Sequence, residues 1–218
     1  MGSFLVIGMG RFGSAVATEL YRMRHEVLAV DAHEDNVTGI LDQVTNVIIG
    51  DAKDDAVLAS LGVQNFDCVV VSMASAIEDS VLTTIKLKEM SAKMIVCKAQ
   101  NEWHAKVLSL IGATKVIHPE SDMGKRIAHS LAQRNIIDYL EISPDYGVLE
   151  IKTPKRWVDK SIIANNIRRK YGINVIAIRS AETDRIQTSP HPDTVLREGD
   201  ILTVIGSKQE LDEIGALT

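Results

Sequence analysis

The chain has 218 residues, 45% of them hydrophobic, and a formal net charge of -5, which suits one full α/β domain and a smaller second one. The acidic balance and an aromatic content of only 4% argue against a surface that coats nucleic acid. No apolar run approaches the roughly 20 residues that cross a bilayer, and no signal peptide is expected ahead of the first strand. Cys68 and Cys97 lie in apolar strands without a C-x-x-C pattern and read as core thiols of a reduced, cytoplasmic protein.

In chain order, Phe4-Leu5-Val6-Ile7 predicts a buried strand, and Gly8, Gly10 and Gly13 follow at the G-x-G-x-x-G spacing. In such a corner the first glycine permits a tight turn and the second lets the backbone approach a phosphate. The third lets the next helix pack on the strand. Phe12, Val16, Leu20 and Met23 recur at helical spacing, so that helix is expected to run to about Arg24, with the positive end of its dipole at the corner. The second strand ends at Asp31, where an acid accepts hydrogen bonds from a ribose hydroxyl or, alternatively, caps a helix. No arginine follows to meet a 2′-phosphate, so NAD, ATP or ADP is expected.

A short helix over 34–43, a strand over 47–51 and a helix over 56–61 come next. They are followed by a strand over 68–72, a helix over 77–90, a strand over 94–98, a helix over 101–111 and a strand over 115–118. Continuous apolar strands alternating with helices predict a Rossmann-type α/β domain, a six-stranded parallel sheet over 1–119. Residues 120–140 read as one further helix with Met123, Ile127, Leu131 and Ile136 or Ile137 as its apolar stripe. Two readings are open: a seventh helix folded on its own sheet, or a crossover helix that packs on a second subunit of a homodimer. The second is preferred. Short strands over 148–151, 175–178, 185–188 and 201–205, with helices near 161–171 and 208–217, predict a small α+β domain over 141–218.

Gly50-Asp51-Ala52 ends the third strand beside the expected adenine pocket, where Asp51 accepts from an exocyclic amine or caps the next helix. Arg11 lies inside the glycine corner, where the helix dipole disfavours a cation, so a polyphosphate partner is favoured. Lys98 ends the fifth strand and is a second candidate for the phosphates. Glu120 opens the long helix, where an acid is favourable for the dipole alone and equally suited to hold a hard cation such as Mg2+ or Na+. The histidines show no metal-site spacing, and no nucleophile elbow, P-loop or tyrosine–lysine reductase pair is present. A nucleotide site without catalytic apparatus reads as a sensor, not an enzyme. An NAD(H)-dependent oxidoreductase or redox sensor is the alternative.

Together these residues resemble the RCK (regulator of potassium conductance) family, in particular the cytosolic subunits of bacterial Ktr/Trk-type potassium transporters. The resemblance rests on Gly8-Met9-Gly10-Arg11-Phe12-Gly13, Asp31, Gly50-Asp51-Ala52, Lys98-Ala99-Gln100-Asn101 and His118-Pro119-Glu120. It extends to Ile167–Asn174 and Glu198–Leu202. It implies an N-terminal nucleotide domain, a crossover helix and a C-terminal RCK-C domain, assembled from dimers into an octameric ring under a membrane-embedded potassium channel subunit. ATP and ADP would then change the ring's shape. By the same resemblance Arg11 contacts the terminal phosphate across the dimer, Asp31 the ribose, Lys98 the phosphates and Glu120 a bridging cation. Some relatives bind cyclic di-AMP at a site that maps onto Arg168, Ile173, Asn174 and Pro190. The sequence departs from the family at Ser72-Met73-Ala74-Ser75-Ala76, where relatives carry a glycine and an asparagine.

Overall fold

The computed structural model describes residues 1–73, 77–132 and 135–217. They divide into two units, Met1–Pro119 and Glu120–Thr218.

In the first unit, β1 (Ser3–Ile7), β2 (Glu26–Asp31), β3 (Asn46–Ile49), β4 (Cys68–Val71), β5 (Ile95–Lys98) and β6 (Lys115–Ile117) form one parallel sheet of order β3-β2-β1-β4-β5-β6. The crossovers carry α1 (Arg11–Arg22), α2 (Glu34–Thr38), α3 (Asp55–Ser60), α4 (Ile77–Glu89) and α5 (Glu102–Leu110). The reason for the continuous apolar runs is visible in where their side chains go. Leu5, Ile7, Val69 and Val71 enter one core, while Val6, Cys68 and Val70 enter another on the opposite face. A strand covered on both sides has no polar face to display. The strand order reverses between β1 and β4, and a sheet wound this way opens a crevice at that reversal, beyond the carboxyl ends of its strands.

The helix expected over 34–43 stops at Thr38, with Gly39 at its end, and a separate 3-10 turn covers Leu41–Gln43. Both cysteines are buried free thiols, and burial pushes Cys97 up to about 11 despite a hydrogen bond with Thr84. Neither thiol is poised for thiolate chemistry.

The second unit begins with α6 (Pro119–Ala132), then β7 (Ile136–Glu141), β8 (Tyr146–Lys152), α7 (Ile167–Tyr171), β9 (Asn174–Arg179), β10 (Ile186–Thr188), β11 (Ile201–Ser207) and α8 (Lys208–Gly215). Its sheet has the order β10-β9-β11-β8-β7 with antiparallel neighbours. Leu149 and Ile151 of β8 and Leu202 and Val204 of β11 alternate into one core with Trp157, Leu211 and Ile214. The intervening residues of these strands are partly exposed, which is the two-residue period of a one-sided sheet.

Two expectations are corrected here. The helix expected over 120–140 ends at Ala132, and Ile136–Glu141 is the edge strand β7 paired with β8. The register shifts between Ile136 and Asp138, so the extra residue brings Ile136 and Tyr139 to the same buried side. The apolar residue that prolongs the stripe of Met123, Ile127 and Leu131 therefore belongs to a bulged strand. The helix expected over 161–171 is only Ile167–Tyr171. Asn166 takes the left-handed conformation at φ 51°, and Ser161 bridges to Val195, so the chain before residue 167 is committed elsewhere. On α6 the side chains of Met123, Ile127 and Leu131 are exposed.

Candidate functional site

The corner after β1 separates its three glycines by what the fold itself demands. Gly8 has φ +93°, and a Cβ there would sit 2.9 Å from the Ser72 backbone. A Cβ on Gly13 would lie 1.9 Å from the Gly8 carbonyl oxygen, so α1 could not approach β1. Gly10 is different. Its φ of -68° is open to any residue, and a Cβ there would meet nothing within 4 Å. The chain's own packing explains two glycines and leaves the third facing open space. Gly10 is also the N-cap of α1, with no side-chain cap and no acid in the first turn. The helix thus presents its first amides and the positive end of its dipole without a carboxylate of its own, which fits an anion.

Asp31 ties this corner together. Its Oδ2 accepts from the Met9 amide at 2.6 Å, and its Oδ1 accepts from the His33 amide at 2.9 Å and the Asn36 side chain at 3.1 Å. Burial by itself would raise its pKa. The amides of His33 and Met9, then Asn36 and the His33 ring, outweigh burial and hold the carboxyl below the usual range. The N-cap position of α2 belongs to His33, so Asp31 is not that helix's cap. Oδ2 carries one amide and keeps a lone pair for a ribose hydroxyl.

Ile7, Gly8, Gly10, Asp31, Gly50, Asp51, Ala52, Ser72 and Met73 line a single open cleft of about 460 Å³ at the reversal point. Asn36, Lys53 and Asp79 also line it and were not singled out from the sequence. Lys53 and Asp79 look there like ordinary charges near helix starts; only the fold turns them into the cleft. Asp51 accepts from the Lys53 amide at 2.9 Å, while the cap of α3 is Asp54, which accepts from Ala56 at 2.8 Å. Asp51 is therefore released from capping and stays in the cleft. Ala74, Ser75 and Ala76, where the departure from the family pattern falls, lie outside the described residues.

Arg11 is exposed on the first turn of α1 and is not part of the cleft lining. Phe12, next to it, has the Lys98 ammonium over its ring at 5.9 Å from the centroid, so the end of β5 reaches the start of α1. Glu120 lies in the first turn of α6, in the second unit. Among the described residues no three His, Cys, Asp or Glu side chains gather to hold a metal ion.

In the second unit Arg168, Ile173, Asn174 and Pro190 come together in one cleft of about 330 Å³ with Ile162, Ile163, Asn166, Ile167, Val175 and Pro192. Gly172 closes α7 at φ 74°, turning the chain so that Arg168 and Asn174 reach the same opening. Among the described residues no helix is long and apolar enough to cross a membrane.

The TrkA-N domain matches residues 4–119 and the TrkA-C domain matches residues 148–218. The chain is 43% identical over 208 residues to Ktr system potassium uptake protein A of Bacillus subtilis (strain 168), covering 95% of this chain and 93% of that protein. It is 42% identical over the same length to Ktr system potassium uptake protein C of that organism, with the same coverage. Among solved structures, the GsuK channel superposes with a TM-score of 0.71 at 21% identity, over 99% of this chain and 39% of that one.

Proposed function

The chain belongs to the family that joins a TrkA-N to a TrkA-C domain, and from its kinship with Ktr potassium uptake proteins we propose a nucleotide-sensing regulatory subunit for such a system. The observation that carries the reading is Gly10: a glycine that the fold does not need, at an uncapped helix start facing an open cleft. A phosphate of ATP or ADP at the first amides of α1 accounts for it. Asp31 then holds the ribose, Asp51 and Ala52 meet the adenine, and Lys98 with Phe12 flanks the phosphates. Arg11 serves the terminal phosphate of a nucleotide held by a neighbouring subunit. Glu120 serves a Mg2+ or Na+ ion that bridges the phosphates.

The exposed Met123, Ile127 and Leu131 face of α6 supports a homodimer, from which an octameric ring would be built. The ring would sit in the cytoplasm against a membrane-embedded potassium channel subunit. A ligand moves such a ring only if it binds its two shapes with different affinity, and the extra phosphate of ATP is the difference that Arg11 would read. In the second unit, the cleft with Arg168 and Asn174 is offered for cyclic di-AMP: isoleucine and proline walls for the bases, a guanidinium for phosphate.

Thermal melting with ATP, ADP, NADH and cyclic di-AMP in turn tests this reading. A ligand at a hundred times its Kd stabilises by about 2.7 kcal/mol, which for a chain of this length is roughly 5 to 10 °C. ATP and ADP should each give a shift of that size, and Arg11→Ala should weaken ATP more than ADP. A shift with NADH alone would transfer the cleft to the dinucleotide, which Asp31 serves equally well.

A further inference from the structure

The adenine end of the first cleft holds a three-charge arrangement in which the nucleotide reading uses Asp51 but neither Lys53 nor Asp79. Lys53 Nζ stands 3.3 Å from Asp79 Oδ2, on the first turn of α4, and 3.6 Å from Asp51 Oδ2, at the end of β3. Asp51 Oδ1 is taken by the Lys53 amide, so Oδ2, which faces the Lys53 ammonium at 3.6 Å, is the oxygen with a lone pair to offer a ligand. Lys86, further along α4, donates to the Lys53 carbonyl oxygen and pairs with Asp55 at 2.6 Å. Helix α4 therefore grips the Lys53 segment twice, once through its backbone and once through its ammonium.

We propose that Asp79 and Lys53 set which purine the cleft accepts: Asp79 shares the Lys53 ammonium with Asp51, so that Asp51 Oδ2 is not saturated by it and keeps a lone pair for the 6-amino group of adenine. This rests on the nucleotide reading above and adds the selectivity to it. A carboxylate only accepts, so a purine with a 6-amino group donates to it, whereas a 6-oxo purine sets acceptor against acceptor and is rejected. The discrimination holds only while Asp79 keeps its share of the ammonium. A lysine moved fully onto Asp51 fills the acceptor and offers its own protons to a 6-oxo group, and both purines are then tolerated. Asp79 and Lys53 are positioning residues in this scheme, and Asp51 makes the contact.

Inosine triphosphate replaces the 6-amino group of ATP with an oxo group and carries a proton on N1, and is otherwise the same molecule, so the ratio of their affinities is the readout, measured on the full chain. The wild type should prefer ATP by on the order of 10- to 100-fold, as expected for a hydrogen bond to a charged group. Asp79→Asn should bring the ratio towards one. Adding Lys53→Met to Asp79→Asn should restore most of the preference, and Lys53→Met alone should keep it. A purely structural role would weaken both ligands in parallel; an unchanged ratio in Asp79→Asn, or no restoration in the double variant, overturns the proposal. A wild type that binds neither nucleotide removes the reading beneath it as well, and so is distinguishable from a wild type that binds both equally, which removes this proposal alone.

Discussion

The cleft of the first unit is walled by backbone turns and carboxylates at the ends of parallel strands, whereas that of the second is walled by isoleucines and prolines around Arg168 and Asn174. In the first, position in the sheet does the selecting: β1, β2 and β3 each end in a group of fixed polarity, at Gly10, Asp31 and Asp51. A ligand there must match a sequence of donors and acceptors. In the second, loops and a short helix meet around an apolar hollow, so shape and burial carry recognition and a single guanidinium supplies the charge. The first cleft thus presents fixed polar groups and the second an apolar hollow.

The sharpest way to break this comparison is within the glycine corner. Gly13→Ala forces a Cβ onto the Gly8 carbonyl and should cost on the order of 4 kcal/mol or more, unfolding the first unit in a melting experiment. Gly10→Ala meets no neighbour and should change stability by less than about 1 kcal/mol, while abolishing the nucleotide-induced shift. Equal loss of stability in the two variants would return Gly10 to a structural role. In the second unit, Ile173 is fully buried beneath the apolar cleft, and Ile173→Ala should cost about 2–5 kcal/mol by denaturant unfolding. Arg168→Ala, by contrast, should leave unfolding unchanged and remove only cyclic di-AMP binding in a titration.

Two changes of smaller size sharpen the contrast. The buried Tyr139 hydroxyl finds no hydrogen-bond partner among the described residues, so Tyr139→Phe should raise the second unit's stability by about 1 kcal/mol or more. Asp31 has the opposite character, with both carboxylate oxygens accepting hydrogen bonds. Because its folded pKa is depressed, its contribution is complete above the unfolded value of about 3.9 and is lost as pH falls through the lower folded value. Melting followed from pH 6 downwards should show a shallower acid limb in Asp31→Asn than in the wild type. The smallest effect belongs to Arg126 and Asp138, a two-pronged ion pair between α6 and β7 at the solvent edge. Arg126→Ala should lower Tm slightly, by an amount that added salt erases.

What could be read in advance follows the same division. The parallel sheet was legible because strands buried on both faces are forced into apolar runs, and the glycine corner because a phosphate turn needs glycines at set spacing. Helix 120–140 was misread because Ile136 and Ile137 prolong the apolar stripe of Met123, Ile127 and Leu131, whereas Ile136–Glu141 pairs with β8 as a strand. The start of α7 was misplaced because nothing local announces that Asn166 turns left-handed. Of the first cleft, Gly8, Gly10, Asp31, Asp51 and Ala52 were identifiable from the motif. Lys53 and Asp79 were not, since they are 26 residues apart and meet only because β3 ends and α4 begins beside the same opening.

By itself, then, the order of amino acids determined the alternation of strands and helices, the glycine corner and the family, all of which depend on residues near one another along the chain. Only the tertiary structure decided that Gly10 is free of any packing duty and that Asp79 shares the Lys53 ammonium with Asp51. Each of these depends on distances between segments far apart in sequence, and such distances exist only once the sheet has closed and its helices have packed on it.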